Sequence, residues 1–277
     1  MPAPPRSRPP ARRHARLLAA LAVAVALAGA LALAPPAAAQ GRTATVSASA
    51  DALTGPYPDG QSLAASVHLP RTGGWARFDG ALASRFGERA AVGGVAVGHD
   101  LADRWVGVVS AGGSTAAFAL PAAELSAAVA RKWGRDRQIM TTAGAASRWI
   151  RDGHHDVDLT AEVAAYGDGV LVQAGGRLTR SEPGRALGGG GHVAVTVGRA
   201  GRRQVAARLS VAHEAYALAV PTATGPAYTD VAFRSATGGI SWHEPLTDRW
   251  GARLSAGIYV SPHYQQVSVG TGVARTF

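Results

Sequence analysis

The sequence contains no cysteine, and Lys132 is its only lysine beside 27 arginines. The lack of cysteine excludes disulfide bonds, which is compatible with an exported protein that does not depend on them. Beyond the first 39 residues there is also no apolar run of about 18 residues, the length that a transmembrane helix requires. A mature chain of this kind can cross a membrane only as a closed β-barrel, because open sheet edges are not tolerated in lipid.

Residues 1–39 have the pattern of a secretory signal peptide. Five arginines precede position 17, a run of Ala, Leu and Val covers 17–34, and Ala-Ala-Ala at 37–39 supplies a small-residue cleavage site. An uncleaved membrane anchor is the alternative, but the Pro35-Pro36 break favours cleavage before Gln40. Loss of the five arginines lowers the formal charge from +10 to about +5, which gives no reason to expect nucleic-acid binding.

The last stretch, residues 264–277, alternates Val267, Val269 and Val273 with small or polar residues and ends on Phe277. Alternation of period two predicts a strand with one apolar and one polar face. A length of about 9–11 residues suits a tilted strand that spans a bilayer. A terminal phenylalanine resembles the assembly signal of bacterial outer-membrane barrels. We therefore expect Phe277 to be recognised by the barrel assembly machinery during insertion into outer-membrane lipid.

The same alternation recurs in fourteen segments between residues 41 and 277. They cover 43–53, 61–69, 75–86, 90–99, 105–114, 124–133, 138–151, 156–166, 170–180, 192–199, 203–216, 237–243, 249–260 and 264–277. Connections after even-numbered segments are short. Those after odd-numbered segments are generally longer, including 115–123, 181–191 and 217–236. Gly188 to Gly191 lacks the tail of a phosphate-binding loop, and we expect a flexible outer loop there.

This layout predicts one all-β domain over residues 40–277. It is a transmembrane up-and-down antiparallel β-barrel of about 14 strands, with 12 or 16 as alternatives. Short turns and both termini then lie on the periplasmic side of a bacterial outer membrane.

Aromatic residues near the predicted strand ends form two bands, as in the interfacial girdles of such barrels. The periplasmic band contains Trp75, Trp105, Trp133, Tyr166, Trp242, Trp250 and Phe277. The outer band contains Phe86, Phe118, Trp149, Tyr216, Tyr259 and Tyr264. Trp75 shares its alternation with Arg77 and Asp79, which indicates an inward orientation for this one ring.

Several short segments resemble the YaiO-type outer-membrane β-barrel family. They are Ser-Arg-Phe-Gly at 84–87, Leu-Ala-Asp-Arg-Trp at 101–105, Phe-Ala-Leu-Pro at 118–121, Glu-Pro-Leu-Thr-Asp-Arg-Trp at 244–250, and the terminal Phe277. The resemblance covers essentially all of residues 41–277 and implies an outer-membrane barrel. Some members carry helical repeats ahead of the barrel, and no catalytic motif is attached to the family.

Polar residues whose alternation is opposite to the valines and leucines are predicted to line the barrel lumen. They are Arg77, Asp79, Asp158, Glu162, Gln173, Arg177, Gln204, Arg208, Glu214 and Arg253, with Gln266 as a further member. Both a structural network of paired charges and a pore lining that selects solutes explain this set. The first hypothesis for function is a passive channel or porin-like conduit, linked to export of a surface polysaccharide. A non-enzymatic structural or interaction protein of the outer membrane is the alternative, and a lipid-modifying enzyme is a distant third.

Two groups have the composition of a reactive site. His154 and His155 lie among Asp152, Asp156 and Asp158, which suits a divalent cation but equally a solvated outer hairpin. Ser261 and His263 share a strand face, but no third residue that would orient the histidine is recognisable. We therefore expect no enzyme activity, no metal site and no cofactor. The sequence does not specify an oligomeric state or a solute.

Overall fold

The computed structural model describes residues 41–116, 120–151, 153–183, 186–199, 201–222 and 225–277, and the side chains of 217–229 are not described. The described chain forms fourteen β-strands. They are β1 (Thr43–Leu53), β2 (Gly60–Arg71), β3 (Gly74–Arg85), β4 (Glu88–Ala102), β5 (Trp105–Ser114), β6 (Ala123–Trp133), β7 (Ile139–Trp149), β8 (His155–Gly167), β9 (Val170–Glu182), β10 (Ala186–Gly198), β11 (Gln204–Thr222), β12 (Gly225–Pro245), β13 (Trp250–Val260) and β14 (Gln265–Thr276). The signal peptide predicted at 1–39 and the girdle residue Phe118 lie outside the described residues.

Each strand pairs antiparallel with its neighbours in the chain, and β1 pairs with β14, so the sheet closes into a barrel. The closing register places Thr43 opposite Thr276 and Leu53 opposite Gln266. The prediction of a fourteen-stranded up-and-down barrel is therefore confirmed. Among the residues described, no helix has the length and apolarity needed to cross a membrane.

Side chains alternate between two faces of the wall because successive residues of a strand point to opposite sides. Large apolar residues are exposed on the outer face: Leu159 is 58% and Leu209 is 55% accessible. The residues between them are polar or small and face the lumen. The apolar surface of this protein therefore lies outside the barrel, where lipid covers it.

The outer connections differ from the prediction of long loops. Most of the predicted loop at 181–191 belongs to strands, because β9 continues to Glu182 and β10 begins at Ala186. The glycines at 188–191 lie within β10. A Cβ on Gly190 would lie 2.7 Å from the carbonyl oxygen of Val211, so close strand packing rather than flexibility accounts for glycine there.

The predicted loop at 217–236 likewise contains strand residues, because β11 continues to Thr222 and β12 begins at Gly225. β11 and β12 contain 19 and 21 residues, well beyond the length of the other strands. Their ladder continues from Gln204↔His243 to Thr222↔Gly225. Pro221 pairs with Pro226 near the tip, where the two strands pair only with each other and a residue without a backbone donor is tolerated, as on an edge strand. The hairpin therefore extends past the outer rim of the barrel.

Candidate functional site

The strand register places all ten predicted lumen residues on one face of the wall. Paired residues share a face, and Arg77 pairs with His68, Arg177 with Thr160, and Arg208 with Ala194. Asp158, Glu162, Gln173, Gln204, Glu214, Arg253 and Asp79 have the same parity along their strands. The face that they occupy is opposite to the exposed leucines and valines.

Asp158 is the most enclosed of these charges, with a residue accessibility of 5%. One carboxylate oxygen lies 2.6 Å from an Nη atom of Arg148, and the other accepts a hydrogen bond of 2.5 Å from the Thr179 hydroxyl. Arg177 approaches the same carboxylate to 3.9 Å. The group links β7, β8 and β9 inside the barrel.

Glu162 forms a second group four residues further along β8, nearer the periplasmic end of the lumen. The Gln173 side-chain amide donates to one carboxylate oxygen at 3.1 Å. The Nε2 atom of His192 lies 3.1 Å from the other oxygen. Carboxylate, amide and imidazole therefore join β8, β9 and β10.

Glu214 forms a third group closer to the outer mouth. It accepts hydrogen bonds from the Ser235 hydroxyl at 2.5 Å and the Tyr259 hydroxyl at 2.9 Å. The Tyr259 ring stacks on Tyr264 at 5.0 Å between centroids, and Tyr264 also contacts Tyr57 at 5.4 Å. A cluster of aromatic rings thus lies beside a half-buried acceptor at this end.

The predicted set does not form one connected site. Arg77 and Asp79 contact each other at 2.9 Å, with side chains that are 52% and 43% accessible. Arg208 lines the same hollow as Glu162 and Glu214. Gln204 and Arg253 both pair in register with His243 near the periplasmic end.

A hollow of about 500 Å³ lies between these groups on the inside of β7 to β12. Its polar lining consists of Thr142, Thr160, Glu162, Arg177, His192, Arg208, Ser210, Glu214, Ser235 and Thr237. Hydroxyls and charges of both signs therefore meet in one space inside the barrel.

Sequence reasoning missed Arg148, His192 and Ser235, and it assigned Tyr259 to the outer girdle. All four have the parity of the predicted lumen residues, so the alternation itself could have found them. Tyr216 and Tyr166 have the same parity and are not lipid-facing girdle residues either. Trp75 is inward as its alternation indicated, since a Cβ on Gly98 would lie 2.4 Å from its ring.

The histidine cluster is divided between two faces. His155 stacks on Trp149 at 5.2 Å, and its Nε2 lies 2.6 Å from the Ser147 hydroxyl, on the outer face. Asp158 points inward to Arg148. Asp152 lies outside the described residues. Within the described part of the chain, no group of three or more His, Cys, Asp or Glu residues could hold a metal ion.

Ser261 and His263 do not form a nucleophile–base pair. The Ser261 hydroxyl donates to the Tyr264 carbonyl at 3.1 Å and accepts from the backbone N–H of His263 at 3.3 Å. The His263 ring packs on Phe233 at 4.7 Å. These contacts stabilise a turn at the outer rim.

Phe277 closes the barrel seam. Its backbone N–H donates to the Arg42 carbonyl at 2.9 Å. The Arg275 guanidinium lies 4.7 Å from the Phe277 ring centroid and 5.4 Å from that of Trp250. The terminal ring therefore belongs to the periplasmic rim.

Comparisons with known proteins agree with a membrane barrel. The sequence matches the YaiO membrane beta barrel domain over residues 42–217. No curated protein sequence matches the chain. The CymD monoaromatic hydrocarbon channel has a similar structure, with a TM-score of 0.58 and 5% identity over 86% of this chain and 89% of that chain.

Two further structures are similar at the level of the fold. A bacterial polysaccharide outer membrane secretin gives a TM-score of 0.52 and 9% identity, over 85% of this chain and 98% of that chain. An outer membrane channel from Pseudomonas putida F1 gives a TM-score of 0.50 and 11% identity, over 88% of this chain and 100% of that chain.

Proposed function

The chain belongs to the YaiO membrane β-barrel family and is an outer-membrane β-barrel. From this premise we propose that it is a passive conduit for polar solutes. The observation that carries the proposal is the hollow of about 500 Å³ inside the wall, lined by hydroxyls and by charges of both signs. A lining of this kind is compatible with water, whereas an apolar lining would favour a dry, packed interior.

The dimensions of the barrel support a passage. Barrels of about eight strands are just wide enough for side chains to fill, and fourteen strands enclose a larger cross-section. Many inward positions are occupied by small residues, for example Gly175, Thr196, Ser210, Gly257, Gly270 and Gly272. The paired charges hold the wall together and leave this space to solvent. The structural network and the pore lining are therefore two roles of one set of residues.

Conductance of the refolded protein in a planar bilayer tests the proposal. Ser210 lines the hollow, and its neighbour Leu209 points to lipid with 55% accessibility. Ser210→Trp should reduce the single-channel conductance, whereas Leu209→Trp should leave it unchanged, because only the first adds bulk to the lumen. A correctly folded wild-type barrel that stays electrically silent would reject the proposal.

The finer proposal concerns the cargo. We infer that the conduit serves export of a surface polysaccharide. Hydroxyl, carboxylate and guanidinium groups of the hollow are suited to sugar hydroxyls, and the fold is shared with a polysaccharide secretin. Linear oligosaccharides should transiently block the ion current more strongly than polyethylene glycol of equal size. If the two polymers block the current equally, polysaccharide is not the specific cargo, and the proposal of a general conduit is unaffected.

A specific observation also favours the second candidate, an interaction protein of the cell surface. A spanning strand needs about 9–11 residues, whereas β11 and β12 contain 19 and 21. Their common hairpin projects past the outer rim and is not required to close the barrel. Deleting residues 219–228 should leave conductance intact under the conduit hypothesis. A silent barrel whose envelope phenotype depends on this hairpin would support the interaction role.

We further propose that residues 1–39 direct export and are removed, and that Phe277 marks β14 for the assembly machinery. Deletion of Phe277 should leave the chain in the periplasm, where it is degraded, whereas Phe277→Tyr keeps an aromatic terminus and should assemble. The measurement is the amount of heat-modifiable barrel in outer-membrane fractions. Normal levels of the truncated protein would contradict the assembly role.

A further inference from the structure

The lipid-facing side of the barrel carries a cation, Arg131, at the periplasmic rim, and no carboxylate of the described residues pairs with it. Arg131, the third residue from the end of β6, pairs in register with Trp105 and Thr141. Its neighbours two residues away on the same strand face are Val129 and Trp133. The Arg131 side chain therefore lies on the lipid-facing side.

Two tryptophans flank the guanidinium. Its Cζ atom lies 3.7 Å from the ring centroid of Trp133 and 5.2 Å from that of Trp105. The Trp133 indole N–H donates to the Thr141 hydroxyl at 2.8 Å, which fixes the orientation of this ring. A cation over an indole face is stabilised by the ring quadrupole and remains fully charged.

Three other arginines of this rim contact carboxylates, whereas no carboxylate contact of Arg131 is found in the described residues. Arg137 contacts Asp103, Arg199 contacts Asp168, and Arg203 makes two hydrogen bonds with Glu244. In the described part of the chain, no Asp or Glu lies within salt-bridge distance of Arg131. Its planar fork of N–H donors is therefore available for an external anion.

An apolar groove begins beside this cation and runs along the outside of β4 to β8. It consists of two adjoining hollows of about 480 and 570 Å³ that share Val97, Val109 and Ala127. The periplasmic end is lined by Leu101 and Gly107, and the outer end by Ser147 and Val157. Small residues between the larger valines and leucines produce the depression.

We propose that this surface is a binding site for one phospholipid of the periplasmic leaflet. Its phosphate contacts Arg131 between the two tryptophans, and one acyl chain lies in the groove. Tryptophan is typical of the membrane interface, so the cation is at the depth of the headgroups. The anionic phosphate complements the unmatched guanidinium, and the hydrocarbon chain complements the groove. A second copy of the barrel would supply the apolar contact but not the anion.

Lipid retention measured by native mass spectrometry tests the site. Delipidated, refolded barrel in detergent is titrated with dioleoylphosphatidylglycerol, and bound copies are counted. Arg131→Gln should weaken binding by about tenfold, because a charge-assisted contact to the phosphate is lost. The matched control is Arg203→Gln, which removes a cation at the same rim that already contacts Glu244, and it should retain lipid like the wild type.

Blocking the groove provides a test that keeps the charge. Ala127→Phe places an apolar side chain in both hollows and should also reduce retention, with normal heat-modifiable mobility as evidence of folding. Equal retention by Arg131→Gln and Arg203→Gln would overturn the proposal. It would also be overturned if Ala127→Phe converted an oligomer into monomers without changing lipid binding, since the occupant would then be a second copy.

Discussion

Two parts of the barrel wall differ in what their lumen faces carry. β8 to β13, which we call the charged arc, direct Asp158, Glu162, Arg177, Arg208 and Glu214 inward. β4 to β7, the smooth arc, direct mainly glycine, alanine, valine, serine and threonine inward at mid-height. One cross-link at mid-height is a hydrogen bond of 2.6 Å between the hydroxyls of Ser110 and Ser126.

The difference shows that the two arcs are stabilised in different ways. In the charged arc, side chains join neighbouring strands inside the barrel, so its integrity depends on complete pairing of enclosed charges. In the smooth arc, small residues on the lumen face leave the backbone ladder and the contact of the apolar outer face with lipid as the main sources of stability. The proposed phospholipid site lies on the outside of the smooth arc. Destabilising substitutions should therefore be those on the lumen face in the charged arc and those on the lipid-facing side in the smooth arc.

The largest effect is expected for Asp158→Asn in the charged arc. The substitution leaves the Arg148 guanidinium, with a side-chain accessibility of 24%, without its contact at 2.6 Å and with only the more distant Asp156 carboxylate at 3.9 Å. Loss of one partner of an enclosed pair costs about 3–5 kcal/mol. Urea titration of the barrel in lipid vesicles, followed by heat-modifiable gel mobility, measures the loss.

The matched control is Asp79→Asn. The charged atoms of Arg77 and Asp79 are 2.9 Å apart, close to the 2.6 Å between Arg148 and Asp158, but both side chains are about half exposed. Water already screens such a pair, so the cost should be about 0–1 kcal/mol. Equal losses for the two variants would show that enclosure of Asp158 does not contribute to stability.

The strand count and the facing of each strand could be predicted from sequence, because alternation fixes the face of a residue once a strand is recognised. Register could not be predicted in this way. Asp158 contacts Arg148 and Thr179 because backbone pairing aligns β7, β8 and β9 in this register. Alternation along each strand predicts which face a residue occupies, but not which residues of neighbouring strands lie side by side. Arg148 was missed because its strand is otherwise lined by alanine, glycine and threonine.

The extended hairpin and the start of β10 were missed for a different reason. Proline and glycine mark turns in most sequences, yet here Pro221 and Pro226 lie at the tip of a ribbon and Gly190 lies where β10 and β11 approach closely. The groove beside Arg131 could not be found from sequence at all. It arises from residues on β4 to β8 that become neighbours only when the sheet is assembled.

A smaller effect should separate the two faces of the smooth arc. Val109, in the middle of β5, is 58% exposed toward lipid, whereas the adjacent Ser110 faces the lumen. Val109→Arg should cost about 2–4 kcal/mol, the penalty for a charge near the bilayer midplane. Ser110→Arg should cost about 1 kcal/mol through the lost hydrogen bond to Ser126. The two variants are compared by their refolding yields in lipid vesicles. Equal loss of yield would mean that the assignment of Val109 to the lipid face and Ser110 to the lumen face is wrong.

The smallest effect concerns ion selectivity, and it compares the two arcs directly. Arg208 lines the hollow, and in the described residues it makes no salt bridge with a carboxylate. A unit charge about 8 Å away lowers the energy of a passing anion, and raises that of a cation, by about 0.5 kcal/mol each in water. Because the two effects have opposite signs, Arg208→Gln should lower the anion-to-cation permeability ratio by about fivefold, as measured by the reversal potential in a KCl gradient. Ser110→Arg should raise the ratio, and Arg137→Gln, a turn residue that contacts Asp103, should not change it. If Ser110→Arg shifts the reversal potential and Arg208→Gln does not, ions pass along the smooth arc and the charged arc has only a structural role.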